Sequence, residues 1–137
     1  MTISSAKLAT KAKVNKFWLS AAICYTIVLL IATHIPQKVM DNEFKELTDW
    51  DKLLHIGAYA VLATLILFSL KKYNSMKLAM AIIAIIAFVG AIDELTQPYF
   101  GRSCHLDDWL ADLAGAFLAL LFLNKSSYFK FPFRHNQ

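Results

Sequence analysis

The chain has 137 residues, of which 58% are hydrophobic and only 18% charged, with a formal net charge of +4. That balance lies outside the range of a soluble globular domain, and the length is expected to leave room for a few spanning helices and short loops, with no separate soluble domain or large lumen. The expected class is an all-α integral membrane protein, a bundle of four transmembrane helices whose chemistry takes place in or at the bilayer.

Residues 1–16 form a basic segment with Lys7, Lys11, Lys13 and Lys16 and no acid. The first apolar stretch follows at 17–33. A lysine-rich start before an apolar run also resembles a signal peptide, but this run exceeds the usual h-region and "IATHIPQ" lacks an A-x-A cleavage site. It is therefore read as a retained span.

The second span is expected at 53–70, opened by "TDWDKLLHIGAY". Asp51, His55 and Tyr59 recur every four residues, which sets them on one helical face descending from the surface. Thr48 and Asp51 also fit a T-x-x-D capping box, so Asp51 has a purely structural reading beside the functional one. The third span, 76–92, closes with "IDELTQP". Asp93 and Glu94 are expected at the interface, with Gln97 within a turn of them before Pro98 ends the helix.

The fourth span, 109–123, is opened by "HLDDWLADLAGA", with Asp107 as the expected N-cap and Asp108 and Asp112 four apart. Its length is about 22 Å at helical rise. It spans only if the turn carrying Asp108 and the residues around Asn124 also lie near membrane depth. Residues 124–137 form a basic tail. The expected organisation is thus a membrane domain at 17–123 between two cytoplasmic segments, 1–16 and 124–137.

Charge sets the expected orientation. The N-terminal segment, the region between the second and third spans and the tail together hold ten basic residues and no acid. The other two connections, with the helix ends beside them, hold all ten acids and only Lys38, Lys45, Lys52 and Arg102. The positive-inside rule then puts both termini in the cytoplasm and the acidic end outward. Trp18, Tyr73 and Tyr128 at one level, with Trp50, Tyr99 and Trp109 at the other, fit two aromatic belts. The basic tails suit anionic lipid, not nucleic acid.

Three helix ends therefore carry ionisable groups to one leaflet. Such groups are costly in hydrocarbon and are expected to face one another across the bundle interior or a wet cavity. For Glu94, Arg102 and Asp108 the plain alternative is a surface ion-pair cluster tying the third connection to the helices, and for Tyr59 an ordinary buried aromatic. Gly57, Ala111, Gly115 and Ala119 read as packing residues that let helices approach closely.

"DKLLHIGAY", "DELTQ", "GR" and "DDWLADLAGA", in this order from Asp51 to Ala116, resemble the VanZ-like family, small bacterial membrane proteins named for a teicoplanin-resistance protein. The resemblance implies a helical fold in the bacterial cytoplasmic membrane, with an envelope or glycopeptide association, and no settled reaction. Carried over residue by residue, its motif positions are Asp51, Lys52, His55, Tyr59, Glu94, Gln97, Arg102 and Asp108. Asp112 stands where the pattern often has asparagine, which makes hydrogen bonding its expected role.

Three classes of function follow. The first is a noncatalytic protein whose polar cup binds a lipid headgroup or peptidoglycan precursor through Asp51, Lys52, Tyr59, Gln97, Arg102, Asp108 and Asp112. The second is a membrane-embedded enzyme using His55 and Glu94 as acid and base, with Arg102 holding an anionic group such as phosphate. The third is a polar cluster that only packs the helices. Asp51, His55, Glu94 and Asp108 offer oxygen and nitrogen donors, but no recognised metal-ligand motif accompanies them, so neither metal nor cofactor is assigned. Cys104 beside His105 lacks the geometry expected of a nucleophile pair, and Cys24 lies mid-span, too far away for a disulfide.

Overall fold

The structure is a computed structural model that describes residues 14–36, 38–40, 50–70 and 76–125. The basic segment up to residue 13, the acidic connection 41–49 with Thr48, the basic connection 71–75 and the tail from residue 126 lie outside the described residues.

Helix α1 spans Lys16–Thr33, and the Asn15 side chain accepts the Phe17 N–H at 3.2 Å, satisfying one of the free donors at the helix start. It ends at His34, two residues before Pro36, whose ring cannot continue a helix. Helix α2 spans Asp51–Ser69 and helix α3 Met76–Thr96. Past Thr96 the chain tightens into a 3-10 turn over Gln97–Phe100. Pro98 has no N–H to offer the α-helical ladder, so the helix narrows there instead of stopping. Gly101 closes the turn at φ 75, a left-handed conformation that a side chain would strain. Helix α4 spans Leu106–Lys125, three residues earlier than expected. Its first carbonyl is that of His105, which accepts the Trp109 N–H, so Asp107 lies inside the helix and is not its N-cap. The N-cap of α2 is Trp50, which makes no side-chain capping bond.

The helices run alternately up and down. Asn15 N–H donates to the Ser69 carbonyl at 2.7 Å, joining the start of α1 to the end of α2. At the opposite end Thr33 of α1 meets Asp93 of α3, and His55 of α2 meets Asp112 of α4. Helix α2 packs most extensively on α4, while α1 lies against α2 and α3 against α4. The core between them holds Tyr59, Leu62, Leu67, Ile82, Ile86 and Ala116.

Glycines set the closest approach. A Cβ on Gly115 would collide with the backbone carbonyl of Ile56 in α2, and one on Gly90 would stand 2.7 Å from Asp112 Oδ2 and 3.2 Å from the Trp109 ring. Gly57 has nothing within 4 Å of the Cβ position and is exposed. It therefore takes no part in the packing expected of it.

The burial pattern is inverted relative to a water-soluble protein. Asp93 and Asp112 are fully buried, whereas Phe17, Phe88 and Phe122 are 72%, 68% and 76% exposed. Apolar surface on this scale requires a lipid or partner cover. Among the described residues three helices, Lys16–Thr33, Asp51–Ser69 and Met76–Phe100, are long and apolar enough to cross a membrane. Helix α4 has the length, about 30 Å at helical rise, but Asp107, Asp108 and Asp112 keep its composition from qualifying by itself. The expectation of four apolar spans is thus met by three among the described residues, and α4 differs because it carries three acids, of which Asp108 and Asp112 are buried and Asp107 is exposed.

Candidate functional site

The polar groups gather at one end of the bundle, where α1 and α3 finish and α2 and α4 begin. The four-residue rise from Asp51 to His55 to Tyr59 lays all three along one face of α2. His55 and Tyr59 are buried there, and Asp51 is half-buried. Asp108 and Asp112 make the matching pair on α4 and are both buried.

His55 Nδ1 and Asp112 Oδ1 are 2.7 Å apart, with both side chains enclosed. The His55 ring stacks parallel to Tyr59, with centroids 6.4 Å apart. The Tyr59 hydroxyl donates to Asp93 Oδ2 at 3.1 Å, and the Thr33 hydroxyl donates to Asp93 Oδ1 at 2.6 Å. His34 Nδ1 stands 3.4 Å from the same oxygen and 2.6 Å from the Leu30 carbonyl, while its Nε2 is 2.8 Å from the Thr96 hydroxyl. Asp93 is accordingly an interior acceptor joining α1, α2 and α3, and not the interfacial residue expected from its place at the end of an apolar run.

Glu94 is held by its own neighbourhood. Its Oε1 accepts from Gln97 Nε2 at 3.1 Å, and its Oε2 from the backbone N–H of His105 at 2.9 Å. It fixes the loop between α3 and α4. Arg102 turns away from Glu94 and Asp108, its expected partners. It donates to the Thr33 carbonyl at 3.2 Å and approaches Asp51 Oδ1 at 3.5 Å. Lys52 pairs with the exposed Asp107 at 2.5 Å. Lys52 also stands 3.7 Å from Asp108 Oδ1.

Asp51, His55 and Arg102 also line a cavity of about 410 Å³ between α1 and α2. Its other walls are Tyr25, Val28, Leu29, Ala32, Leu54 and Ala58 with Thr33, Ile35 and Met40, so one end is polar and the rest apolar. Tyr59, Glu94, Gln97, Asp108 and Asp112 stand behind this wall and do not line the cavity.

For a metal ion, one ligand atom each from Asp51, His55 and Asp108 lie within 4.8 Å of one another. Glu94, the fourth donor considered from the sequence, is not in that group. Sequence reasoning missed Thr33 and His34 altogether. The signal was present in "IATHIPQ", where a hydroxyl and an imidazole end the first span at the same level as the other polar groups.

A family model described as VanZ/LLP1 matches residues 4–126, nearly the whole chain. No curated protein and no solved structure matches it.

Proposed function

Because the chain belongs to the VanZ/LLP1 family, we propose that it is a multi-pass protein of the bacterial cytoplasmic membrane that binds a lipid-linked envelope component. The headgroup sits at Asp51, His55 and Arg102, and the apolar tail lies along α1 and α2. The observation that carries this reading is the two-ended cavity, apolar along its walls and ionic at its head. Pockets of this volume hold one small-molecule headgroup or part of a chain. Arg102 offers a planar donor suited to phosphate or carboxylate.

In this reading α4 is the fourth span, both termini are cytoplasmic and the polar end faces outward. The ten-to-none distribution of basic over acidic residues supports it. Occupying an outer-leaflet precursor would alter glycopeptide susceptibility of the teicoplanin type. A catalytic version of the same site has His55 as its acid or base, because its ring lines the cavity. Glu94, with both oxygens engaged behind the wall, then holds the loop in position.

The test is native mass spectrometry of the full chain in detergent, with a polyisoprenyl phosphate as probe. Wild type should retain one lipid. Ala32→Trp, which fills the cavity from its wall, and Arg102→Gln should each weaken retention at least about 10-fold, a change of 1.4 kcal/mol. Equal retention by all three proteins overturns the reading, as does the release of a dephosphorylated product in favour of the catalytic version.

A further inference from the structure

We infer that Asp51, His55 and Asp108 form a binding site for one first-row divalent transition cation, of the Zn²⁺ or Mn²⁺ class, at the head of the α1–α2 cavity. Two carboxylates and an imidazole, from two helices, bring a ligand atom each within 4.8 Å of one another. Ligands about 2.1 Å from a common metal are at most about 4.2 Å apart, so a small side-chain rotation closes the set.

A second, independent observation points the same way. Asp108 is only 3% exposed, and among the described residues its Oδ1 has no hydrogen-bond partner. The nearest cation among the described residues, the Lys52 ammonium at 3.7 Å, is beyond hydrogen-bonding distance and is closer to Asp107. A buried carboxylate oxygen left in this state costs free energy unless something binds it.

The histidine is already oriented. Its Nδ1 is taken by Asp112 at 2.7 Å, which leaves Nε2 as the nitrogen available to a ligand. A carboxylate on one ring nitrogen fixes the tautomer and raises the basicity of the other, as is common behind metal-binding histidines. Asp51 is only half-buried and its contact with Arg102 is long, at 3.5 Å, so the acid remains available. Asp51 and His55 line the cavity while Asp108 stands behind its wall, and three protein ligands leave at least one coordination position for an exogenous ligand. The imidazole selects against Mg²⁺ and Ca²⁺, which prefer all-oxygen shells.

This inference stands apart from the lipid reading, because the metal is tested alone. Full-length protein stripped with chelator should bind one Zn²⁺ or Mn²⁺ per chain in equilibrium dialysis and gain thermal stability on doing so. Asp51→Asn and Asp108→Asn preserve shape and should each weaken binding at least about 10-fold, in the range that loss of a supporting contact already produces. Cys104→Ser and His105→Ala, at exposed positions outside the proposed ligand set, should leave affinity unchanged and control for adventitious binding. Binding that survives both aspartate variants, or that disappears with the Cys104 or His105 variant, overturns the assignment. So does a wild-type stoichiometry well below one. If an aspartate variant does not fold, the other variant and the wild-type stoichiometry decide.

Discussion

Gly115 of α4 lies directly on the backbone carbonyl of Ile56 in α2, with no space for a side chain between them. This contact lets α2 and α4 approach closely enough for His55 and Asp112 to meet one turn away. The obstacle is backbone, which cannot rotate aside. Gly115→Ala should therefore destabilise the protein by about 1 to 3 kcal/mol or more. Gly57→Ala, on the open side of the neighbouring turn, should be neutral or gain up to about 1 kcal/mol from reduced chain freedom. Thermal unfolding in detergent distinguishes them, and equal behaviour would refute the packing role of Gly115.

His55 Nδ1 and Asp112 Oδ1 meet at hydrogen-bonding distance, 2.7 Å, with both side chains enclosed. Asparagine at position 112 retains an oxygen that accepts from Nδ1, whereas alanine leaves the enclosed imidazole unpartnered. Asp112→Asn should keep most of the stability, and Asp112→Ala should lose about 3 to 5 kcal/mol, as expected when one member of a buried pair is removed. Matching losses in the two variants would show that the charge itself is required.

Asp93 takes one hydroxyl on each oxygen, Thr33 on Oδ1 and Tyr59 on Oδ2. Tyr59→Phe and Thr33→Val should each cost about 1 to 3 kcal/mol, the range for leaving a buried acceptor without its donor. The double variant should cost more than the sum, because among the described residues the enclosed acid then keeps only the more distant His34. Adding Asp93→Leu to the double variant should restore part of the loss. Strict additivity in chemical unfolding would argue against a shared network.

Glu94→Gln tests positioning against proton transfer. Glutamine still accepts from the His105 N–H and can still bond Gln97, but it has no useful basicity. Near-normal stability and metal or lipid retention are expected for Glu94→Gln, with larger losses for Glu94→Ala. Complete loss of a measured activity in Glu94→Gln, at normal membrane levels, would restore this residue as acid or base.

Topology is testable with the two cysteines. Cys104 is exposed in the loop before α4, and Cys24 is exposed on the apolar outer face of α1. An impermeant thiol reagent should modify Cys104 in intact cells, after permeabilisation of any outer membrane, and should spare Cys24, whose surroundings are hydrocarbon. Modification of Cys104 only after the cytoplasmic membrane is broken would reverse the orientation.

Periodicity and composition alone determined the all-helical class, the approximate helices and the convergence of acids at one end. These depend on which side chains recur every three or four residues and on how apolar a stretch is, and both are local properties of the chain. The ordered motifs from Asp51 to Ala116 were also enough to indicate the family. Only tertiary structure decided the partners. Arg102 had three acids within plausible reach, and the path of the loop after Gly101 gave it Asp51 and the Thr33 carbonyl instead of Glu94 or Asp108. Asp93 and Glu94 are adjacent in sequence, yet helical rotation turns one toward Thr33 and Tyr59 and the other toward Gln97 and His105. Gly57 and Gly115 look alike in their helices, and which one meets a neighbouring backbone depends on the face that α2 and α4 bury against each other. Hydropathy records how much of a helix is apolar but not which way its acids point. The inward turn of Asp108 and Asp112 on α4 is therefore a product of packing, where burial between helices offsets the cost of placing carboxylates beside lipid.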